Sequence, residues 1–234
     1  MTKNHLKRLT IPKTWPLRRK TSVYITRPNP GPHSLALGMP LNVIMREVLG
    51  ITTTLKQVKL ILHDQELMVD GKRVKDARHP VGFMDVLSVP LGASYRCVLD
   101  TRGKLAFIEV DKKEQAIKMS RIIGKRKFKG KKFQITLSDG RNLLMEKAPY
   151  AVGDTLLYTL PKTEIKEHFP LQKGASILLV GGKHAGAQGT IEDIAEDKVL
   201  FKDTKKNTVE TLKKYVFVVG KDKPAYNLTV KANE

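Results

Sequence analysis

The stretch MVDGKRV, residues 68–74, decides how the middle of the chain folds. Its Asp-Gly dipeptide predicts the tight turn of a two-stranded β-hairpin, because both residues tolerate the positive φ angles that such a turn requires. Lys72 and Arg73 then lie at the tip of the hairpin or just beyond it. A further short strand over residues 85–89 ends at Pro90, which cannot donate a backbone hydrogen bond. This segment therefore predicts short strands joined by tight turns.

Helices are predicted on the N-terminal side of this hairpin. From Leu41 the apolar residues recur at helical spacing, and Gly50 is a typical C-terminal stop. The threonines at positions 52–54 are suited to cap a second helix over residues 55–63. The two faces of that helix consist of Leu55, Val58 and Leu62, and of Lys56, Lys59 and His63. We expect the apolar face to pack and the basic face to be free to bind.

On the C-terminal side the periodicity changes to two, which is typical of β-strands. Turn signals at residues 100–103 and 138–141 accompany an alternation at Phe133, Ile135 and Leu137 and a strand predicted over residues 152–158. Five more strands are predicted over residues 175–180, 189–194, 198–201, 208–212 and 215–219, and they favour a small barrel. The predicted fold class is α+β, mostly β.

Lysine and arginine are concentrated in two clusters. The chain has 43 Lys and Arg against 23 Asp and Glu, a formal net charge of +20. Residues 1–46 contain no acidic residue but contain Lys3, Lys7, Arg8, Lys13, Arg18, Arg19, Lys20, Arg27 and Arg46. Residues 118–132 likewise lack acidic residues and contain Lys118, Arg121, Lys125, Arg126, Lys127, Lys129, Lys131 and Lys132. Two such runs predict a polyanionic partner; a solvated surface, or a nuclear-localisation tract for the second run, are the alternatives.

The first 40 residues are predicted to form an extended arm. They hold six of the 12 prolines, which is too dense for a helix or an interior strand. The arm also carries the apolar residues Trp15, Leu17, Val23, Tyr24 and Ile25. These are expected to dock on the body of the chain or on a partner, and an arm with no core of its own is expected to order fully only when bound.

Several classes of protein are disfavoured by the sequence. The lone Cys97 excludes an internal disulfide and reads as a buried strand residue. The apolar stretches are shorter than the roughly 20 residues that span a bilayer, and the N-terminus lacks the apolar core of a secretory signal, so a cytoplasmic protein with no membrane partner is expected. The chain has no P-loop motif, and its six histidines are scattered. We therefore expect no catalytic residue, no metal and no cofactor.

The hairpin, the basic second helix and the segments around them resemble the alpha-L RNA-binding module. The resemblance rests on VLGI at residues 48–51, VDGKRVKD at 69–76 and GFMDVLSV at 82–89. In that family the second helix and the hairpin form a compact surface on structured RNA. The resemblance thus implies RNA contacts at Lys56, Lys59, Lys72, Arg73 and Lys75.

A second resemblance lies near the C-terminus. The segment GGKHAGAQGTI, residues 181–191, resembles a KOW motif, whose glycines permit a close approach to a partner. The resemblance implies that Lys183 and His184 lie at the tip of an RNA-facing loop, within an SH3-like barrel. The implied order is an extended basic arm over residues 1–40, an alpha-L-like module over 41–92, a central β domain over 93–170, the barrel over 171–220 and a tail over 221–234.

The order of these segments resembles one family along nearly the whole chain. With HLKRL at residues 5–9, PKTWP at 12–16 and RPNPGPH at 27–33, it resembles ribosomal protein four of the small subunit in its archaeal and eukaryotic form. The short segment after Tyr226 looks more archaeal than eukaryotic. The resemblance implies a structural component of the ribosome in the cytoplasm, bound to ribosomal RNA of the small subunit and to neighbouring small-subunit proteins, and doing no chemistry.

In such a protein we expect affinity from phosphate neutralisation and placement from the folded modules. The expected contacts are Lys7, Arg8, Lys13, Arg18, Arg19, Lys20 and Arg27 in the arm and Lys125, Arg126, Lys127 and Lys129 in the second cluster. Trp15, Tyr24 and His184 are either stacking groups or packing anchors. Removal of residues 1–27 is expected to weaken RNA binding while the remainder folds. The alternative function is a soluble transcription or translation factor, or an RNA modifier, that binds RNA transiently; DNA binding ranks lower.

Overall fold

The computed structural model describes residues 5–64, 67–89, 92–128, 132–203 and 207–221, apart from the side chains of Lys112 and Lys113. Within these ranges the chain is mostly β with few helices, as predicted. The chain divides into two compact units, which are Met1–Val98 with Lys104–Lys118, and Leu99–Gly103 with Met119–Glu234. No helix in the described ranges is both long and apolar enough to cross a membrane.

In the first unit, the N-terminal arm packs on the body of its own chain. Strand β1 (Leu6–Lys7) pairs antiparallel with β2 (Tyr24–Ile25), so the arm folds back on itself. The indole of Trp15 is 2% exposed, and its Nε1 donates to the carbonyl oxygens of Leu35 and Gly38, both at 3.1 Å. Of the two docking alternatives, the chain's own body is therefore the one observed, and Trp15 is a packing anchor.

This packing changes what removal of the arm should do. Ile11, Trp15 and Ile25 are all buried, so they contribute to the core of the first unit. Deleting residues 1–27 would remove these apolar groups from the core. We therefore expect such a deletion to destabilise the first unit as well as to remove cations.

Two helical segments follow the arm. Strand β3 (Gly38–Pro40) leads into α1 (Leu41–Val43), which continues as a π-helical turn over Ile44–Val48. Gly50 ends this segment with φ +66°, a backbone conformation that favours glycine, as predicted. The second helix, α2, spans Leu55–Asp64 and confirms the prediction to within one residue.

The apolar face of α2 is narrower than the sequence suggests. Val58 and Leu62 are fully buried, which confirms the packing face. Leu55 is 39% exposed, so the prediction that it packs is wrong. The reason is its place, since it is the first residue of the helix and borders an open groove.

The predicted Asp-Gly hairpin is confirmed. The next strands are β4 (Met68–Val69), β5 (Lys72–Arg73), β6 (Pro80–Gly82), β7 (Val86–Ser88), β8 (Ser94–Leu99) and β9 (Leu105–Glu109). Asp70 (φ 53°) and Gly71 (φ 72°) form the turn between β4 and β5. Five strands form one sheet in the order β5-β4-β7-β8-β9, while β6 pairs with β3. A short helix, α3 (Lys112–Gln115), follows the sheet.

A buried charge cluster holds the first unit together. Lys118 is 1% exposed, and its Nζ lies 2.5 Å from both Asp70 Oδ2 and Asp85 Oδ1. The Nε2 atom of His33 lies 2.9 Å from the same Asp85 oxygen. Burial alone raises the pKa of Asp85, but Lys118 and His33 outweigh it and hold that pKa below its usual range. Lys118 is therefore a structural residue, and the sequence was misleading in grouping it with unopposed surface cations.

The second unit begins with a five-stranded sheet. Its strands are β10 (Ile117–Lys127), β11 (Phe133–Leu137), β12 (Asn142–Met145), β13 (Thr155–Thr159) and β14 (Ile165–Phe169), in the order β12-β11-β10-β13-β14. The first two residues of β10 belong to the first unit. The alternation at Phe133, Ile135 and Leu137 is confirmed, with Ile135 and Leu137 buried. Gly124 lies inside β10 next to a register shift, so β10 is a bulged strand at this point.

Another five-stranded sheet completes the described part of the second unit. It contains β15 (Ser176–Leu179), β16 (Gln188–Ile194), β17 (Lys198–Asp203), β18 (Thr208–Leu212) and β19 (Val216–Gly220), in the order β18-β17-β16-β15-β19. All five predicted strands are confirmed to within a few residues. The core of this sheet includes Ile177, Leu178, Val199, Phe201 and Val218.

Candidate nucleic-acid interface

The basic second helix and the hairpin form one surface, which we call the helix–hairpin surface and define by Lys56, Lys59, Lys72, Arg73 and Lys75. A capping box positions the helix, because Thr54 Oγ1 accepts from the Gln57 backbone N–H (3.3 Å) and Gln57 Oε1 accepts from that of Thr54 (3.1 Å). The hairpin is tied to the C-terminal end of α2, since Arg73 Nη2 donates to the carbonyl of His63 at 3.3 Å. All five defining side chains are exposed.

A groove runs between α2 and the hairpin. It has a volume of about 440 Å³, and its lining includes Lys59, Arg73 and Lys75. Lys56 and Lys72 are exposed but lie outside this lining. The structure thus brings three of the five predicted cations to one concave site, where a phosphate can meet more than one of them.

The arm cations divide into exposed and packed groups. The exposed side chains are those of Lys7, Lys13, Arg18 and Lys20. Arg19 and Arg27 are half-buried, and Arg19 Nη1 lies 3.4 Å from the carbonyl oxygen of Leu9. The exposed set remains a prediction for RNA contact.

Arg8 departs from the sequence expectation. It is 4% exposed, its Nη1 donates to Glu47 Oε1 at 3.0 Å, and its Nη2 also donates to Glu47. Its Nε donates to the carbonyl of Arg18 at 2.6 Å. The hydrogen bond to Glu47 raises the pKa of Arg8, because the carboxylate favours the charged guanidinium. Arg8 is therefore not available to a partner, because its guanidinium is hydrogen-bonded to Glu47 and to the carbonyl of Arg18.

A second, larger groove lies between the arm, the first helical segment and α2. We call it the arm groove; it has a volume of about 720 Å³ and is lined in part by Tyr24, Arg27, Asn42, Arg46, Lys59 and Arg78. Lys59, Asp76 and Ala77 line both grooves, so the two are adjacent. The sequence did not single out Arg46 or Arg78 as contact residues. The only signal was composition, since Arg46 lies in the first cluster and Arg78 just beyond the segment that resembles the alpha-L module.

The second cluster is partly fixed by its own unit. Lys125, Arg126 and Lys127 are exposed at the C-terminal end of β10. Lys125 Nζ donates to the carbonyls of Ala148 (2.6 Å) and Tyr150 (3.1 Å), so it is held in place. Lys129 lies outside the described residues. Arg126 and Lys127 thus remain as candidates whose side chains are exposed.

The loop between β15 and β16 carries Lys183 and His184, both exposed. Its backbone is held close to the turn at residues 99–103 in the same unit. A Cβ added to Gly186, whose φ is +87°, would lie 1.8 Å from the carbonyl oxygen of Asp100, so only glycine fits. The loop thereby presents Lys183 and His184 from a constrained support.

The described residues bear on two kinds of chemistry, metal binding and thiol reactivity. Among them, no group of three or more His, Cys, Asp and Glu side chains is placed to hold a metal ion. Cys97 is buried, and burial raises the pKa of its thiol, which disfavours the reactive thiolate.

These features define a mostly β protein whose surplus cations lie on compact supports. Comparison with known proteins narrows this class. The family model described as Ribosomal family S4e matches residues 91–165, and the RS4NT (NUC023) domain model matches residues 2–36. Small ribosomal subunit protein eS4 of Methanosphaera stadtmanae is 36% identical over 233 residues, covering 97% of this chain and 96% of the relative. Its counterpart from Nanoarchaeum equitans is 40% identical over 194 residues, covering 82% of each chain.

A solved structure agrees with these relatives. The crystal structure of the 30S ribosomal protein S4e from Thermoplasma acidophilum superimposes with a TM-score of 0.68 and 29% identity. The match covers 79% of this chain and 95% of that one. The chain belongs to the ribosomal protein S4e family.

Proposed function

We propose that the protein is a structural constituent of the small ribosomal subunit that binds ribosomal RNA and neighbouring subunit proteins in the cytoplasm. Family membership supports the ribosomal role. The observation that carries RNA binding is the convergence of Lys59, Arg73 and Lys75 on one groove between α2 and the hairpin. Concave cationic sites on rigid supports suit the phosphates of a structured RNA, which is recognised mainly by its shape and backbone.

In this proposal three parts of the chain contact the RNA. The first is the helix–hairpin surface within an alpha-L-like module over residues 41–92. The second is the exposed set of arm cations, Lys7, Lys13, Arg18 and Lys20, with Arg19 and Arg27. The third comprises Arg126 and Lys127 of the central β domain with Lys183 and His184 of a KOW-type loop on an SH3-like barrel. The capped helix, the hairpin and the constrained glycine loop support these assignments.

A charge variant with a matched control tests the RNA-binding part. Lys72→Gln, Arg73→Gln and Lys75→Gln together should weaken binding to small-subunit ribosomal RNA in a filter assay. A plot of log affinity against log salt concentration has a negative slope. The magnitude of that slope should decrease by roughly 0.7–0.9 for each phosphate contact that is lost. The control changes Lys173, Lys198 and Lys202 to Gln, because each of these already pairs with a carboxylate. Equal losses in both variants would mean that only net charge matters.

Sedimentation tests the ribosomal part. Cell lysate is run through sucrose gradients at moderate and then high salt, and the full chain is detected by blotting. Co-migration with the small subunit at both salts is the expected result for a structural constituent. A peak at the top of the gradient would instead favour a soluble factor that binds RNA transiently.

A further inference from the structure

The arm groove has an excess of positive charge that its own carboxylates do not neutralise. Five Lys and Arg residues line it against two carboxylates, Glu47 and Asp76. Both carboxylates are already engaged, since Glu47 pairs with Arg8, and Asp76 accepts from the Asn29 amide at 2.5 Å and from a backbone N–H at 2.8 Å. The field inside the groove therefore favours an anion.

One wall of the groove is aromatic. Tyr24 is 57% exposed, and its ring meets that of His5 edge-on, with the centroids 5.6 Å apart. A T-shaped contact covers at most one face of the Tyr24 ring, so the other face is open to a third group. A tyrosine ring presented in this way beside arginines is the combination on which unpaired bases stack.

The groove also contains an unsatisfied polar group. Asn42 lines it and is 1% exposed, and its Nδ2 donates to Thr26 Oγ1 at 2.7 Å. No donor within the described residues reaches its Oδ1 atom. A buried acceptor without a donor is costly, but less than 1 Å² of this oxygen is exposed. A ribose hydroxyl or the amino group of a base in the groove would therefore satisfy it only after the Asn42 side chain turns toward the ligand.

We infer that the arm groove binds one unpaired ribonucleotide, whose base stacks on Tyr24 and whose phosphate meets Arg46, Lys59 and Arg78. The volume of about 720 Å³ lies in the range of small-ligand sites, which is roughly 300–1,000 Å³. Because Lys59 also lines the groove beside the hairpin, an RNA strand crossing the helix–hairpin surface can turn a nucleotide into the arm groove. The inference rests on the proposed RNA binding and adds a specific pocket to it.

A direct test uses adenosine 5′-monophosphate, ribose 5-phosphate and inorganic phosphate as probes on the full chain, followed by NMR chemical shifts. The adenosine monophosphate should perturb the Tyr24 ring and the side-chain amide of Asn42, whereas inorganic phosphate should affect only arginine and lysine signals. Ribose 5-phosphate should reach the Asn42 amide but not the tyrosine ring. If all three probes gave the same shifts, the groove would be an anion site only and the inference would fail. Absence of any shift from the nucleotide would also overturn it.

Variants of Tyr24 test the same pocket with ribosomal RNA. Tyr24→Leu should weaken binding by roughly 5- to 140-fold, the loss expected for one stacked base, with no change in salt slope because no charge is removed. Tyr24→Phe should bind as the parent chain does. Val23→Ala is the matched control, since Val23 is next to Tyr24 in the chain, is 68% exposed and does not line the groove.

Different results would contradict the nucleotide pocket and the proposed RNA binding. If Tyr24→Leu binds RNA normally while the Lys72, Arg73 and Lys75 triple variant loses affinity and salt slope, the nucleotide pocket is wrong and the RNA-binding proposal stands. If the parent chain does not bind ribosomal RNA at all, the proposed function fails first. Binding of the free nucleotide without any effect of Tyr24→Leu on RNA would identify a site for a free nucleotide rather than for RNA.

Discussion

Replacing Lys118 with methionine should destabilise the first unit strongly, although the substitution keeps the length and much of the volume of the side chain. Lys118 is 1% exposed and is the cation shared by the carboxylates of Asp70 and Asp85, each 2.5 Å away. Removing one partner of a buried ion pair leaves uncompensated charge and costs about 3–5 kcal/mol. Because the variant leaves two carboxylates without this lysine, we expect the free energy of unfolding at pH 7 to fall by at least about 3 kcal/mol.

The loss should depend on pH. In the parent chain the lowered pKa of Asp85 adds stability that is complete above its unfolded pKa and is lost as pH falls through the folded pKa. Without Lys118, burial and the mutual repulsion of the two carboxylates raise their pKa values, so a proton binds on folding. The difference between variant and parent should therefore be larger at pH 7 than at pH 5.

Denaturant unfolding followed by Trp15 fluorescence measures this directly, because Trp15 is the one tryptophan of the chain and is buried in the same unit. Lys104→Met is the control, since Lys104 is exposed in the same unit and should change stability by less than about 0.5 kcal/mol. Adding Asp70→Asn and Asp85→Asn to Lys118→Met should recover part of the loss. A cost below about 3 kcal/mol at pH 7, or one equal at both pH values, would refute the reasoning.

Two further predictions concern residues with an unusual environment. Arg8→Gln should lower the stability of the first unit by roughly 1–3 kcal/mol, because Glu47 loses its partner, while the salt slope of RNA binding stays unchanged; a reduced slope would return Arg8 to the interface. Gly186→Ala should destabilise the second unit more than Gly174→Ala does, as measured by circular dichroism during urea unfolding. Both glycines have positive φ, but an added Cβ meets the Asp100 carbonyl only at Gly186 and nothing within 4 Å at Gly174, so equal losses would show that the contact is unimportant.

The sequence predicted local structure well where one short-range signal dominates. The Asp-Gly turn of residues 68–74, the capped helix α2 and the strands of the last sheet all follow from turn chemistry, capping residues and a period of two. The family followed from the order of several such segments. These features depend on neighbours in the chain, so the chain alone specifies them.

The role of each basic residue was harder to predict, because the sequence does not show whether a lysine on a strand faces water or a carboxylate. Lys118 and Arg8 both lie in acid-free runs, yet each pairs with acidic residues 33 or more positions away. Conversely, the arm groove unites Tyr24, Asn42 and Arg78 from three separate segments. The sequence by itself determined the local elements, the family and the total charge. Only the tertiary structure decided which cations pair with carboxylates inside the protein and which stay exposed to a partner. The reason is that pairing and burial depend on contacts between segments that are distant along the chain.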